Sequence, residues 1–136
     1  MFTWLIAEDE PDIRNLLDMM VQVWGHQTLT FENGQKVWDW LDHLEVNDGT
    51  TVPDLVLMDI RMPGKKGNEI ASRMRQIAAL HQTPIVLMTA YALTERERID
   101  MIDASGVDHI ISKPLPDFEQ LRALLNEIVD NRRMRS

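Results

Sequence analysis

The feature that most constrains this chain is a repeated alternation. Five short apolar runs are each followed by a segment whose apolar residues recur at helical spacing. The runs are Phe2–Ala7, Gln27–Phe31, Leu55–Asp59, Ile85–Thr89 and Asp108–Ile111. Leu55-Val56-Leu57-Met58 and Ile85-Val86-Leu87-Met88 are apolar without a break. Strands covered on both faces read this way, because both sets of alternating side chains are buried; a strand with one wet face alternates.

The intervening segments read as amphipathic helices. Ile13, Leu16, Leu17, Met20, Val21 and Trp24 share one helical stripe, with Pro11 suited to the first turn and Gly25 to the stop. A second helix uses Val37, Trp38, Leu41 and Leu44 after an Asn33-Gly34 turn, and a third runs from Gly67 through Ile70, Met74 and Ile77. The fourth follows Thr94, an N-cap with Glu97 three residues on, and ends near Gly106. The fifth carries Phe118, Leu121, Leu125 and Ile128. Five βα units in series predict an α/β fold, a parallel sheet between helices with right-handed crossovers. The polar stretch Asn47-Asp48-Gly49-Thr50-Thr51 reads as a loop inside one unit, not as a linker between domains. The four tryptophans and nine methionines fall mostly on apolar stripes and read as core.

Composition narrows the class. A chain of 136 residues fits one domain spanning 1–136, and 44% apolar with 26% charged residues is ordinary for a globular protein. The absence of cysteine excludes a disulfide scaffold and thiolate metal sites and agrees with a cytoplasmic location. Acids stand directly behind the first apolar run, which does not support a signal peptide, and no run is long enough to cross a membrane. A net charge of −8 argues against direct nucleic-acid binding. The basic cluster Asn131-Arg132-Arg133-Met134-Arg135 reads as a helix C-terminus complementing the macrodipole.

In an open parallel sheet, sites form at the carboxyl ends of the strands. Strand 1 ends in Glu8-Asp9, strand 3 in Asp59 and strand 4 in Thr89-Ala90, while Lys113-Pro114 follows strand 5. Three carboxylates, a hydroxyl and a lysine therefore converge on one edge. Crowded carboxylates repel, and burying them is costly without a cation. Lys113 is one remedy and a hard divalent ion the other; an oxygen-rich set that keeps waters suits Mg²⁺. Each residue also has a plain reading. Asp9 and Asp59 are acceptable helix caps, Thr89 an ordinary strand end, and Lys113 a solvated charge. Their joint placement favours a site.

With those motifs in view, the chain resembles the receiver domains of bacterial response regulators along essentially its full length. The resemblance rests on Glu8-Asp9, the run Asp59-Ile60-Arg61-Met62-Pro63 with Gly67 closing its loop, Thr89-Ala90, and Lys113-Pro114. It implies a doubly wound, flavodoxin-like (βα)5 sheet of order 2-1-3-4-5. It implies that Asp59 is phosphorylated, with Mg²⁺ held by Asp9, Asp59 and the backbone carbonyl of Arg61, and with Glu8 acting mainly through a bound water. Lys113 would pair with the phosphoryl group, Thr89 would hydrogen-bond it, and the Ala90 N–H would be a further donor. An ionised Asp59 would act as nucleophile, with charge on the transferred group compensated electrostatically. The donor would be a histidine kinase or histidine phosphotransfer protein, and the domain would assist its own modification without being a turnover enzyme.

Two departures stand out. The family usually carries an aromatic residue three positions before the lysine, where this chain has Ile110, so output cannot depend on a turning ring there. His109 beside it is expected at a surface or interface. Lys65-Lys66 stands where the family often has an apolar residue and then Asp or Asn, and a solvated loop is the expectation. Arg61 and Tyr91 are expected at the pocket mouth, where their bulk would slow loss of the phosphoryl group.

The leading function is a phosphorylation-dependent switch acting through Thr89 on the surface of helix 4, strand 5 and helix 5 and through a downstream protein partner, with homodimerisation an open possibility. The residues after Lys113 suffice for a last helix and a short tail, so this is either a stand-alone regulator or a receiver cut from a longer protein. The alternative is a non-phosphorylated receiver-like docking domain, against which the complete acid, threonine and lysine set argues. A phosphohydrolase would want an acid two residues after the nucleophile, where Arg61 stands. A flavin carrier would want a hydroxyl- and glycine-rich loop in place of Glu8-Asp9-Glu10-Pro11.

Overall fold

The computed structural model describes residues 2–46 and 50–134. Five strands, β1 (Thr3–Ala7), β2 (Gln27–Phe31), β3 (Leu55–Asp59), β4 (Ile85–Thr89) and β5 (His109–Ser112), alternate with five helices. The helices are α1 (Pro11–Val23), α2 (Gly34–Val46), α3 (Gly67–Gln76), α4 (Glu95–Ser105) and α5 (Phe118–Met134), and a 3-10 turn (Ala78–Leu80) precedes β4. All strands are parallel in the order 2-1-3-4-5, the expected doubly wound arrangement.

The unbroken apolar runs are the central strands. Every residue of β3 and β4 is buried, whereas edge strand β2 has no buried residue. Alternate side chains feed two cores. Leu5, Val56, Met58, Leu87 and Ile110 pack toward Val37, Leu41, Ile70 and Met74 on the α2–α3 side. Trp4, Ile6, Leu57, Met88 and Ile111 pack toward Leu17 and Val21 of α1 and Leu121 and Leu125 of α5. Each fully buried side chain of this size is worth roughly 1.5–3 kcal/mol, so the sheet centre contributes much of the stabilising burial.

Most helix signals act as read. Pro11 opens α1, and Gly25 follows it with φ +95°. Asn33 Oδ1 accepts the Lys36 N–H at 2.8 Å to start α2. Thr94 and Glu97 exchange both bonds of a capping box at 3.1 and 3.0 Å, and Gly106 closes α4 at φ +74°.

Three boundaries differ. β1 starts at Thr3, whose N–H is taken by Asp54 Oδ2 at 2.9 Å, so Phe2 lies outside it. Ile77 has an extended backbone and ends α3 instead of lying within it. β5 starts at His109 and reaches Ser112, because the Asp108 carboxylate is engaged by Arg75, Arg132 and the Ile85 N–H. Arg132 and Arg133 lie in the last turn of α5 as expected, with tertiary roles as well: Arg132 also donates to the His81 carbonyl, and Arg133 covers the Phe2 ring at 4.6 Å. Arg135 and the loop positions Asn47-Asp48-Gly49 lie outside the described residues.

Candidate functional site

Five loops meet where the strands end. Past β1, the Glu8 N–H donates to the Phe31 carbonyl at 3.1 Å, which extends the pairing with β2 by one residue. The Arg14 guanidinium, one turn into α1, donates to the Glu8 carbonyl at 2.9 Å and pins the turn. These bonds hold the Glu8 side chain inward, with no exposed surface. Asp59 is the last residue of β3 and is 7% exposed. The Ile60 N–H behind it bonds the Met88 carbonyl at 2.9 Å. Gly67 then brings α3 back against the strand: its N–H reaches the Ile60 carbonyl at 2.9 Å, and a Cβ there would sit 2.4 Å from the Asp59 carbonyl oxygen. Only glycine permits that approach without displacement.

Lys113 completes the group. Its N–H bonds the Thr89 carbonyl at 2.7 Å, one step beyond β5, and its side chain turns back under the sheet edge. Nζ lies 2.6 Å from Glu8 Oε1 and 3.3 Å from Asp59 Oδ2, and the side chain is 12% exposed. Burial pushes the Glu8 carboxyl up to about 7; the Lys113 hydrogen bond opposes this, and the Asp59 charge adds to it. Burial acts against the Lys113 charge too, but the Glu8 and Asp59 carboxylates outweigh it and raise its pKa.

One oxygen each from Glu8, Asp9 and Asp59 lies within 4.8 Å of the others, Asp9 being the least buried of the three. A single ammonium leaves this cluster short of positive charge. Hard oxygen donors at that spacing fit a Mg²⁺-sized ion that keeps part of its water shell.

The plain readings of Asp9, Asp59 and Lys113 do not hold, while Thr89 does end its strand. The N-cap of α1 is Glu10, without a side-chain bond into the helix, so Asp9 is not the cap. The N-cap of α3 is Lys66, so Asp59 is not one either. Lys113 is buried against two acids, not solvated. Thr89 is 2% exposed, and its Oγ1 accepts the Tyr91 N–H at 3.1 Å. Ala90 beside it is exposed.

At the rim, Arg61 and Tyr91 meet. The Arg61 guanidinium lies 4.1 Å from the Tyr91 ring centroid, linking the loop after β3 to the loop after β4. Sequence reasoning brought both residues to the mouth but not into contact, because nothing local pairs positions on different loops. Ile110 is 1% exposed in the core, and its carbonyl accepts from Arg98 of α4. His109 is half-buried, its pKa lowered first by burial and then by Arg98. Lys65 is not simply solvated, since its Nζ sits 4.6 Å over the Trp38 ring, whereas Lys66 is exposed. Arg14 and Arg98 were missed altogether. A basic residue one helical turn after an acidic strand end is the one signal that pointed to Arg14.

Comparison with known proteins agrees with this geometry. The model of the response regulator receiver domain matches residues 4–126. The phosphate regulon transcriptional regulatory protein PhoB of Pseudomonas aeruginosa is 32% identical over 126 residues, covering 90% of this chain and 51% of that protein. The transcriptional regulatory protein CpxR of Escherichia coli is 30% identical over 124 residues, covering 89% of this chain and 48% of that one. This chain thus spans about half the length of these curated relatives. Among solved structures, the response regulator TrrA of Thermotoga maritima, in complex with Mg²⁺-BeF, is 30% identical with a TM-score of 0.73, covering 94% of this chain and 99% of that one. A CheY-like receiver domain protein of Methanospirillum hungatei shares the fold at a TM-score of 0.80 and 18% identity, covering 100% and 99%. From strand order to acid cluster, this chain belongs to the response regulator receiver domains, the signalling modules of two-component systems.

Proposed function

We propose that the chain accepts a phosphoryl group on Asp59 from a phosphohistidine donor and passes the signal on by protein contacts. The observation that carries this reading is the contact of Lys113 Nζ with both Glu8 and Asp59, inside a carboxylate cluster at the strand ends.

Each residue then has a task. Asp59 Oδ attacks phosphorus in line, the P–O bond to phosphorus forms as the P–N bond to the donor imidazole breaks, and the imidazole nitrogen takes a proton. Glu8, Asp9, Asp59 and the Arg61 carbonyl would hold Mg²⁺, with Glu8 acting through a bound water. The ion, when bound, neutralises charge on the transferred oxygens. Lys113 shifts from Glu8 toward the phosphoryl oxygens, for which its raised pKa keeps it charged. Thr89 turns its hydroxyl to the same group, and the Ala90 N–H adds a donor. Turnover of a separate substrate forms no part of this reading.

Support for a protein donor comes from α1, which leaves the pocket and exposes Leu16, Met19 and Val23 on one stripe. A histidine kinase or histidine phosphotransfer protein would seat there. The TrrA complex with Mg²⁺-BeF is consistent with the same chemistry on this chain's acids. Output would start at Thr89 and reach a downstream protein or a second copy of the chain. Ile110, buried and aliphatic, has no ring to turn. We place the domain in the cytoplasm, without direct nucleic-acid or membrane contact; no helix among the described residues is long and apolar enough to cross a membrane.

The test is intact-protein mass spectrometry after incubation with Mg²⁺ and acetyl phosphate or a panel of phosphorylated histidine kinases. One added phosphoryl group, absent in Asp59→Asn, is expected. No adduct from any donor would leave the docking-domain reading in its place.

A further inference from the structure

Between α3 and α4 the surface opens into a groove of about 470 Å³. Its floor is aliphatic, made by Leu93, Met101 and Ala104, and its rim is acidic, with Glu69 from α3 and with Glu97 and Asp100 from α4. Among the described residues no Lys or Arg lines it. Glu69 and Glu97 each accept one backbone N–H as helix caps, which leaves a second carboxylate oxygen on each facing solvent. Asp100 meets Arg96 one turn away at 3.3 Å in an exposed pair, a contact worth little in water. In the wall, Asn68 Oδ1 is buried without a hydrogen-bond partner and is thus an acceptor without a donor.

The helix that forms one side is lightly held. Ser105 is the only buried residue of α4, and Ile99 is 43% exposed. The groove also joins the phosphorylation-site mouth: Asn68, Leu93, Glu97 and Met101 border both it and the depression that holds Thr89, Tyr91 and Arg61.

We infer that this groove is the docking site for a basic, aliphatic-anchored segment of a partner protein. Leu or Met side chains of that segment lie on the Met101–Ala104 floor, and Lys or Arg side chains face the acidic rim. Once its side chain turns outward, the Asn68 amide oxygen accepts from one of those cations or from a backbone N–H, a bond it lacks in its buried position. The rim charge excludes nucleic acid and acidic peptides. Docking gives α4 the cover that the fold leaves off it, and because the floor borders Thr89, occupancy and the state of the pocket are linked. That last link rests on the proposed phosphorylation of Asp59; the groove itself does not.

The probe is a fluorescein-labelled helical peptide of Leu, Lys and Arg, titrated by anisotropy, with a peptide of equal charge lacking leucine as its control. The unmodified protein is expected to bind the first saturably and the second at least about tenfold more weakly. Ala104→Arg, which blocks the floor, and Asp100→Lys, which reverses the rim, are each expected to weaken binding about fivefold or more. Glu119→Lys on the exposed start of α5 makes the same charge change as Asp100→Lys elsewhere and should leave binding alone. Equal binding of the two peptides, or equal weakening by Asp100→Lys and Glu119→Lys, would overturn the proposal, because the peptide would then be reading net charge alone. Repeating the titration on protein whose mass shows a phosphoryl group tests the link. Unchanged affinity overturns the link, whereas absence of the adduct overturns the Asp59 reading and leaves the groove measured.

Discussion

Arg61 and Tyr91 show what single residues add to a shared fold. Both are exposed, yet the guanidinium lies over the ring at 4.1 Å, at the rim of the depression that holds Thr89. A cation–π contact at an exposed site is worth about 0.5–1 kcal/mol. If water must part the pair to reach an aspartyl phosphate, the upper figure corresponds to about a fivefold change in rate. Arg61→Ala and Tyr91→Ala should therefore each lose the phosphoryl group a few-fold faster than wild type, measured as decay of the adduct mass after the donor is removed. The double variant should lose it little faster than either single one, because the two side chains form one contact. Decay as slow as wild type in both single variants would remove the pair from the mechanism. The aromatic position tells the opposite story: Ile110 was legible as a departure, and the structure shows it filled by core packing.

At the scale of elements, the loop between β3 and α3 folds back against Asp59, and glycine makes that close approach possible. At the first position of α3, helix propensity alone favours Gly67→Ala by less than the roughly 1 kcal/mol of a helix interior. The added methyl, however, would stand 2.4 Å from a backbone carbonyl oxygen that cannot swing aside. Overpacking of this kind costs about 1–3 kcal/mol, so the variant should be less stable in urea unfolding, with weaker Mg²⁺ protection. A stability equal to or above wild type would mean that the loop yields freely. At the opposite sheet edge, Arg75 donates to the carbonyls of Gly106, Leu80 and Thr83 and to Asp108, binding the loops that enter β4 and β5. The sequence carried no sign of this clamp, because its acceptors are three backbone carbonyls and one carboxylate brought together from separate loops.

For the molecule as a whole, two imidazoles shape the acid side of stability. His26 lies stacked on Trp4 at 4.6 Å, and burial lowers its pKa below 6.5; burial and then Arg98 lower that of His109. The folded state thus resists a proton that the unfolded chain takes more readily. Their neutral-form stability is present above the unfolded value of 6.5 and is lost as pH falls from there toward the folded values. Glu8, raised to about 7, works in the opposite direction over the same range, so the imidazole contribution is read as a difference: as pH falls below 6.5, the wild-type urea midpoint should lose ground to that of His26→Phe, which keeps a ring on Trp4 without a proton. Parallel curves for the two proteins would show that His26 is not a source of the loss.

The chain by itself determined the architecture and the convergence of Glu8, Asp9, Asp59 and Lys113. Continuous short apolar runs between helical patterns read as central strands, and the acids, hydroxyl and lysine at their ends were legible because a parallel sheet brings those ends together. Element identity survived throughout, and boundaries moved by a residue at Thr3 and His109, where the Asp54 and Asp108 carboxylates took backbone donors, and at Ile77, where the backbone turns extended. Only the tertiary structure decided which oxygen meets which nitrogen. Lys113 lies nearer to Glu8 than to Asp59, Arg61 meets Tyr91 at the rim, and α4 leaves an acid-rimmed groove uncovered. Periodicity assigns residues to faces, but contacts among five loops are set by how the sheet twists and the helices seat, and no local pattern encodes that.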